Sequence, residues 1–390
     1  MRRFPILIGC AVVASSASCG VNNPLAPPSA QPSADASADA APVTQPDDLN
    51  DVLEPVRAKH GLPSLAVAAW VGDALVGEGA VGVRKVGDAT PVTKQDKWHL
   101  GSDTKAMTAT LAAMLVDAKK VQFSSTLKKL FPSDTVNELY QQVTLDMLFM
   151  HRSGAPANPP DALWSKMWAD SRSFEVRRDV VLSVIKDAPP NPVGEYLYAN
   201  TGYMIAGASL EKTTGQTWED MMHAMIFGPL GMASCGFGAP STVNTVDQPW
   251  GHESKGGEYL PVKPGHAADN PPSLGPAGTV NCSLADWGKF LRVHLHGSRG
   301  EATIVSGDAL KHLQTPPRGG DYALGWGVES RSWAGGTVLT HSGSNTMFLA
   351  TVWIAPAKNL IMVAATNAAD AEAENGIDEA FAPLIERYAK

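Results

Sequence analysis

The stretch Leu100-Gly101-Ser102-Asp103-Thr104-Lys105 opens a segment in which apolar residues recur at helical spacing, namely Met107, Leu111, Met114, Leu115 and Ala118. This spacing predicts a helix over 103–118 that packs one stripe inward. Ser102 lies at the N-terminus of this helix, and a serine and a lysine three positions apart share one helix face. A partly desolvated lysine can lose its proton near neutral pH and act as a base toward the hydroxyl. Ser102 and Lys105 are therefore candidate catalytic residues.

The Ser-x-x-Lys spacing is weak evidence by itself, because the chain contains three further matches: Ser125 with Lys128, Ser183 with Lys186, and Ser209 with Lys212. Two other short motifs strengthen it. Tyr198-Ala199-Asn200 is the only Tyr-x-Asn in the chain, and His341-Ser342-Gly343 follows a short apolar strand predicted over 338–340. A strand edge at that place can line a cleft and bind an extended substrate. His99 and Gly101 show that His-x-Gly also arises by chance.

Outward from this segment, strand and helix patterns alternate. A helix near 48–60 precedes strands over 64–71 and 74–83, which turn at Gly72 and Asp73. Helical patterns also cover 145–150, 175–186, 204–214, 218–226, 284–296 and part of 371–389, and strand patterns cover 348–354 and 360–366. We predict an α/β (α+β) fold. In it, 48–120 and 283–390 form an antiparallel sheet flanked by helices, and 121–282 is an inserted, mainly helical part with few strands.

The N-terminus has the features of an export signal. Two arginines precede the apolar run 4–14, and small residues lead to Cys19. This pattern predicts a signal peptide over 1–18 and a periplasmic or cell-envelope location. Small residues before Cys19 also resemble a lipoprotein processing site, so a lipid anchor on Cys19 and an ordinary signal both remain open. The Pro/Ala/Ser-rich segment 19–47 predicts a linker, because it cannot bury enough apolar surface to order itself.

Composition excludes several function classes. The 390 residues are 44% hydrophobic and carry a net charge of −8, which fits a globular protein and argues against nucleic-acid binding.

We predict no metal, since His294 and His296 point to different sides of their helix. We also predict no cofactor, since there is no Gly-rich phosphate loop. A disulfide between Cys235 and Cys282 is permitted after export, but the sequence does not show whether they meet.

The three motifs, in this order, resemble those of the serine β-lactamases and penicillin-binding-protein-like hydrolases, which carry S-x-x-K, then Y-x-N, then K-T-G or H-x-G. The contexts 100–105, 147–154 and 324–327 resemble further landmarks of that family, and the resemblance covers roughly residues 50–390. It implies a β-lactamase/transpeptidase-like fold and an exported serine hydrolase that forms an acyl-enzyme on Ser102.

The resemblance also implies roles for the catalytic residues. Ser102 is the nucleophile, Lys105 its base or proton shuttle, and Tyr198 a second base or a hydrogen-bond partner that passes the proton to the leaving group. Because coupled groups share macroscopic pKa values, the choice between Lys105 and Tyr198 as general base stays open.

The remaining motif residues are implied to bind substrate. Asn200 orients it, and the backbone N–H groups of Ser102 and Ser344 form an oxyanion hole beside Gly343. His341 either holds a substrate carboxylate or tunes the lysine and tyrosine.

One departure from the family pattern bears on the substrate. His341 stands where dedicated β-lactamases of this layout carry lysine, and neutral histidine is a weaker carboxylate anchor. The implied substrates are therefore an ester or other small acyl compound first, a D-amino-acid peptide of peptidoglycan type second, and a β-lactam third. The rival hypothesis is a non-catalytic sensor of cell-wall fragments or β-lactams on the same scaffold.

Overall fold

Residues 45–390 are described by the computed structural model, apart from the side chain of His266. The predicted signal peptide, Cys19 and most of the predicted linker lie outside these residues. Asp47, at the predicted end of the linker, already belongs to the first strand. Residues 45–390 fall within one compact unit.

The predicted elements occur in the predicted order, with further short strands and helices between them. The strands are β1 (Asp47–Asp48), β2 (Ser64–Val71), β3 (Ala74–Gly82), β4 (Lys97–His99), β5 (Gly236–Phe237), β6 (His252–Lys255), β7 (Glu258–Pro261), β8 (Val280–Ser283), β9 (Gly327–Arg331), β10 (Gly336–Ser344), β11 (Leu349–Ala355) and β12 (Leu360–Thr366). The helices are α1 (Asn50–Lys59), α2 (Thr104–Asp117), α3 (Leu127–Leu130), α4 (Leu145–Phe149), α5 (Asp161–Ala169), α6 (Ser173–Ile185), α7 (Asn200–Thr214), α8 (Trp218–Met221), α9 (Gly228–Leu230), α10 (Gly275–Gly278), α11 (Leu284–Gly297), α12 (Gly307–Leu313) and α13 (Ala371–Tyr388).

The main sheet has seven strands in the order β1-β3-β2-β12-β11-β10-β9. All its pairings are antiparallel except the short one between β1 and β3. The central strands β2 and β12 are apolar on both faces because helices cover both sides: α1 and α13 pack on one face, and α2 and α11 on the other. This arrangement confirms the predicted antiparallel sheet flanked by helices.

Four short strands, β5 to β8, lie in or at the edge of the part that we expected to be mainly helical. Each has only two or four residues, too few for an alternating pattern to be visible in the sequence. Strands β4, β8 and β5 form a small sheet, and a disulfide joins Cys235, the residue before β5, to Cys282 in the central strand β8. Within residues 45–390, no helix combines the length and apolar character that crossing a bilayer requires.

Candidate active site

Ser102 lies in a three-residue 3₁₀ turn, Gly101–Asp103, that leads into α2. One helical turn later, Lys105 places its Nζ atom 2.8 Å from the Ser102 Oγ atom. The same Nζ atom is 2.8 Å from the side-chain oxygen of Asn200 and 2.8 Å from the backbone oxygen of Ala277. The Lys105 Nζ position is therefore fixed by oxygen atoms from three separate segments of the chain.

Lys105 is completely buried. Burial lowers its pKa well below the usual 10.5, and the neighbouring Asp103 only partly opposes that shift. Burial also raises the pKa of Asp103 well above its ordinary value. A neutral lysine has two N–H donors and one lone pair. It can donate to Asn200 and Ala277 and accept the Ser102 proton, which is the arrangement that a general base requires.

Tyr198 lies just before α7, and its hydroxyl hydrogen bonds to Ser102. The Lys105 Nζ atom is 4.8 Å from the centre of the Tyr198 ring. Burial raises the pKa of Tyr198, so the phenol keeps its proton near neutral pH. The pKa directions of the two residues are opposite, and they favour Lys105 as the group that takes the serine proton.

His151 holds Tyr198 in place. Its ring centre is 4.2 Å from that of Tyr198, and its Nδ1 atom accepts the backbone N–H of Ala199 at 3.0 Å. His151 adopts a left-handed backbone with φ of 58°, which is uncommon for a residue other than glycine. Burial lowers its pKa, so it packs against the tyrosine as a neutral ring.

Asn200 is the first residue of α7 and touches Lys105 through its side-chain oxygen. Its amide nitrogen donates to the side-chain oxygen of Asn158 at 2.8 Å. Because the oxygen is committed to a donor and the nitrogen to an acceptor, the orientation of the amide is fixed.

The end of β10 runs directly against the turn that carries Ser102. A Cβ atom at Gly343 would lie 2.6 Å from the Ser102 nitrogen, and one at Gly101 would lie 2.6 Å from the Gly343 carbonyl carbon. Strand β9 pairs with β10 only up to Thr340, so the segment 341–344 faces the site on that side. The backbones of Ser102 and Ser344 thus border the same space.

His341 is buried between two polar side chains. Its Nε2 atom is 3.0 Å from the Tyr322 hydroxyl, and its Nδ1 atom is 3.4 Å from a carboxyl oxygen of Asp103. Burial first, and the charge of Lys105 second, lower the pKa of His341 to about 3. A neutral imidazole at this place favours tuning of the neighbouring groups over charge-based binding of a substrate carboxylate.

The structure therefore brings all seven motif residues together: Ser102, Lys105, Tyr198, Asn200, His341, Gly343 and Ser344. The sequence analysis assigned no role to Tyr322, Asp103 or His151. A signal was present for all three, since Asp103 lies in the landmark 100–105, His151 lies in the landmark 147–154, and Tyr322 lies two residues before the landmark 324–327. Gly325 in that landmark has φ of +86° and no room for a side chain against Ala106, which seats the loop on α2.

The Ser-x-x-Lys match at Ser209 and the two histidines that the sequence analysis set aside as metal ligands all contact other residues. Ser209 donates to the backbone oxygen of Ala206 at 2.6 Å, and Lys212 pairs with Asp134 at 2.7 Å. His294 contacts Thr110, while His296 lies between Asp73 and Glu301 at the surface. Across the part of the chain that the structure describes, no group of three or more His, Cys, Asp or Glu side chains is arranged to hold a metal.

Comparison with known proteins gives consistent findings. The family model described as Beta-lactamase matches residues 49–385. The chain is 29% identical over 324 residues to penicillin-binding protein 4 of Amycolatopsis lactamdurans, which covers 80% of this chain and 82% of that protein. It is 25% identical over 300 residues to an unguisins hydrolase of Aspergillus campestris, covering 71% of this chain and 54%, about half, of the fungal protein. The solved structure of the octameric penicillin-binding protein homologue from Pyrococcus abyssi has the same fold, with a TM-score of 0.71 and 22% identity over 87% of this chain and 77% of that chain.

Proposed function

This chain belongs to the beta-lactamase family, and from that membership we propose that it is an exported serine hydrolase that forms an acyl-enzyme on Ser102. The observation that carries the proposal is the buried Lys105 amine, placed 2.8 Å from the Ser102 hydroxyl oxygen with its two other contacts satisfied. Burying a lysine completely costs folding free energy, and a lysine pKa lowered in this way is typical of a functional site.

In the acylation step, Lys105 Nζ takes the hydroxyl proton of Ser102 as the Ser102 oxygen bonds to the substrate carbonyl carbon. The carbonyl oxygen becomes negative and is stabilised by the N–H groups of Ser102 and Ser344. When the bond to the leaving group breaks, the Tyr198 hydroxyl gives that group a proton and regains one from the Lys105 ammonium. Water then attacks the acyl-enzyme with the same groups working in reverse, which releases the acid and restores the Ser102 hydroxyl.

We place an ester or small acyl compound first among substrates, a D-amino-acid peptide second and a β-lactam third. Neutral His341 supports this order, because it supplies no fixed positive charge for the carboxylate that penicillins and peptide C-termini carry. The relatives are called a penicillin-binding protein and an unguisins hydrolase. Those names keep penicillin binding and hydrolysis of other compounds among the candidate activities.

We also propose that the protein works outside the cytoplasm, with Cys19 as the candidate lipid attachment point. The disulfide between Cys235 and Cys282 supports export, because disulfides persist in oxidising compartments. Mass analysis of the membrane fraction tests the anchor: a diacylglyceryl modification on Cys19 supports it, and a soluble chain cleaved without lipid contradicts it.

Intact mass spectrometry tests the acyl-enzyme. The mature protein is incubated with a penicillin, a p-nitrophenyl ester and a D-alanyl peptide, beside Ser102→Ala as the matched control. A mass increase or turnover that Ser102→Ala abolishes supports the proposal and ranks the substrates. A long-lived penicillin adduct without turnover of the other two compounds instead favours the covalent sensor. No adduct and no turnover with any compound contradicts both.

A further inference from the structure

The segment 272–278 brings a backbone oxygen to Lys105, and residues that have no part in the reaction described above hold this segment in place. It consists of a 3₁₀ turn, Pro272–Leu274, followed by the helix α10. The last four carbonyl groups of a helix have no partner within that helix, and α10 has only four residues. Its carbonyl groups therefore need donors from elsewhere in the chain.

Two of these donors lie on one face of α2. Thr108 Oγ1 donates to the Pro276 oxygen at 2.8 Å, and Lys105 Nζ donates to the Ala277 oxygen at 2.8 Å. Because Lys105 and Thr108 are three positions apart on the helix, their side chains are neighbours on its surface. Successive carbonyl groups in a helical turn point in nearly the same direction. The hydrogen bond from Thr108 therefore aligns the next carbonyl group, that of Ala277, with the lysine amine.

The Thr108 hydroxyl is itself fixed in orientation. It is completely buried, and its oxygen accepts the Trp218 Nε1–H at 3.2 Å. Since a hydroxyl has a single proton, that proton is left for the Pro276 oxygen. The Trp218 ring also packs against α10, because a Cβ atom at Gly275 would lie 3.0 Å from it.

Arg177 anchors the segment just before α10. Its guanidinium is completely buried, and its Nε atom donates to the Ser273 oxygen at 3.0 Å. The same guanidinium pairs with the carboxylates of Glu211 and, at 2.6 Å, Glu219. Breaking one contact of a buried ion pair is strongly destabilising. The segment is thus fixed before α10 by Arg177 and within α10 by Thr108.

We propose that Thr108 is a positioning residue for Lys105: its hydroxyl holds α10 so that the Ala277 oxygen meets Lys105 Nζ. The inference rests on the proposed function, in which Lys105 takes the proton of Ser102. Lys105 Nζ has three oxygen contacts, and weakening one of them lets the long side chain turn away from Ser102. A misplacement of about 1 Å can slow a reaction about 100-fold.

The contact with Ala277 also affects the protonation of Lys105. A carbonyl oxygen accepts a stronger hydrogen bond from an ammonium group than from a neutral amine, so the contact favours the protonated lysine. Weakening the contact should lower the pKa of Lys105 further below its usual value. The rising limb of the pH–rate profile should then move to lower pH. A substitution that only loosens the fold would lower activity without moving that limb.

Other titratable groups near the Lys105 amine are not altered by a substitution at position 108. They are Asp103, His151, Tyr198, Tyr203 and His341. Among the described residues, the Thr108 hydroxyl bonds to Pro276 and Trp218 and to none of these groups. A shift of the limb in a Thr108 variant therefore reports on the contact between Lys105 and Ala277.

Thr108→Val is the test variant, because valine keeps the shape of the side chain and removes its hydroxyl. Thr110→Val is the matched control, since Thr110 is also buried on α2 but its hydroxyl contacts the Ala106 oxygen and His294. Steady-state kinetics with p-nitrophenyl acetate are measured across the rising limb. We expect Thr108→Val to lower kcat about tenfold or more with little change in KM, and to move the limb to lower pH.

The remaining variants should behave differently from Thr108→Val. Thr110→Val should keep kcat within about twofold of the parent and leave the limb in place, because its lost contacts do not involve α10. Thr108→Ser retains a hydroxyl and should recover most of the lost kcat. Thermal unfolding checks that each variant is folded. If Thr108→Val is not, Thr108→Ala replaces it, with Thr110→Ala as the control.

The outcomes separate the two proposals. Parental kcat in Thr108→Val, a limb that stays at the parental pH, or an equal loss in the Thr108 and Thr110 variants overturns the positioning role. Each of these results leaves the serine hydrolase standing, because the parent still turns over the ester. Absence of any Ser102-dependent turnover in the parent overturns the proposed function itself.

Discussion

Gly343 lies so close to Ser102 that a Cβ atom on the glycine would sit 2.6 Å from the serine's backbone nitrogen. The Leu100 carbonyl oxygen is closer still to that position. The third motif therefore contains glycine because β10 must pass the turn that carries Ser102 at backbone contact distance. This contact brings Ser344 next to Ser102, where both N–H groups can face one oxyanion.

Replacing Gly343 by alanine should therefore separate the two segments. We expect Gly343→Ala to lower kcat/KM for an ester substrate about 100-fold or more, the cost of losing one oxyanion donor. Gly236→Ala is the matched control, because the nearest atoms to a Cβ there are 4.0 Å away. Steady-state kinetics of both variants check this, and equal activity of the two would contradict the role assigned to Gly343.

Lys105 should be needed as a neutral base. Lys105→Arg keeps a positive charge that does not dissociate, and Lys105→Met removes the charge. Both variants should lose about 10³-fold or more in kcat, because neither can accept the Ser102 proton. In the parent, the lowered pKa of Lys105 should place the rising limb of the pH–rate profile well below 10.5. Near-normal kcat in Lys105→Arg would exclude the proton transfer.

The main sheet, the helix that follows Ser102 and the order of the three motifs were predictable from the sequence. Strands such as β2 and β12 are long and continuously apolar, and the apolar residues of α2 recur at helical spacing. The single inward stripe predicted for this helix was wrong, because every residue from Thr104 to Ala113 is buried. These signals are local, so a single sequence carries them. The same is true of Ser102 and Lys105, which one helical turn brings together.

The partners of His341 could not be predicted in this way. Its contacts to Tyr322 and Asp103 join residues from three segments, and only the tertiary fold sets their distances. The neutral state of His341 depends on burial, which spacing alone does not reveal. The contact between Lys105 and the Ala277 backbone oxygen could not be predicted from the sequence for a further reason, since any residue type can supply a backbone oxygen.

Tyr322 should act as a positioning residue for His341. Tyr322→Phe removes the hydroxyl that lies 3.0 Å from His341 Nε2 and leaves that buried nitrogen without its partner. We expect kcat to fall about tenfold with little change in KM when activity is measured well below Tm. A general loss of stability would not lower kcat at that temperature, because the variant would still be folded. Tyr388→Phe is the control, because it also removes a tyrosine hydroxyl, one that donates to Asp47 instead of to a residue of the candidate active site. A tenfold loss in both variants would contradict the assignment.

The disulfide should stabilise the fold without taking part in catalysis. Cys235 and Cys282 are 47 positions apart, and closing a loop of that length stabilises a protein by about 2–4 kcal/mol. Replacing both cysteines by alanine should lower Tm by about 3–6 °C for a domain of this size. The parent measured with a reductant is the matched comparison and should shift in the same direction. An unchanged Tm in both measurements would contradict a stabilising role.

Acid should destabilise the protein through buried histidines, of which His252 is the clearest. Its Nδ1 atom faces the backbone oxygen of Asn367 at 2.8 Å, and its Nε2 atom accepts the N–H of Val86 at 3.0 Å. The neutral ring satisfies both contacts, and a second proton would face the Val86 N–H. Burial accordingly lowers the pKa of His252 from 6.5 to about 4.

The sign of the effect follows from which state binds the proton more readily. Below pH 6.5 the unfolded chain protonates this histidine while the folded chain resists it until about pH 4, so stability falls as the pH falls through that range. Between pH 7 and pH 5 this one group should cost about 2 kcal/mol. His252→Asn should remove that part of the pH dependence in urea unfolding, whereas His223→Asn at an exposed position should retain it. Equal pH dependence in both variants would mean that other groups cause the acid sensitivity.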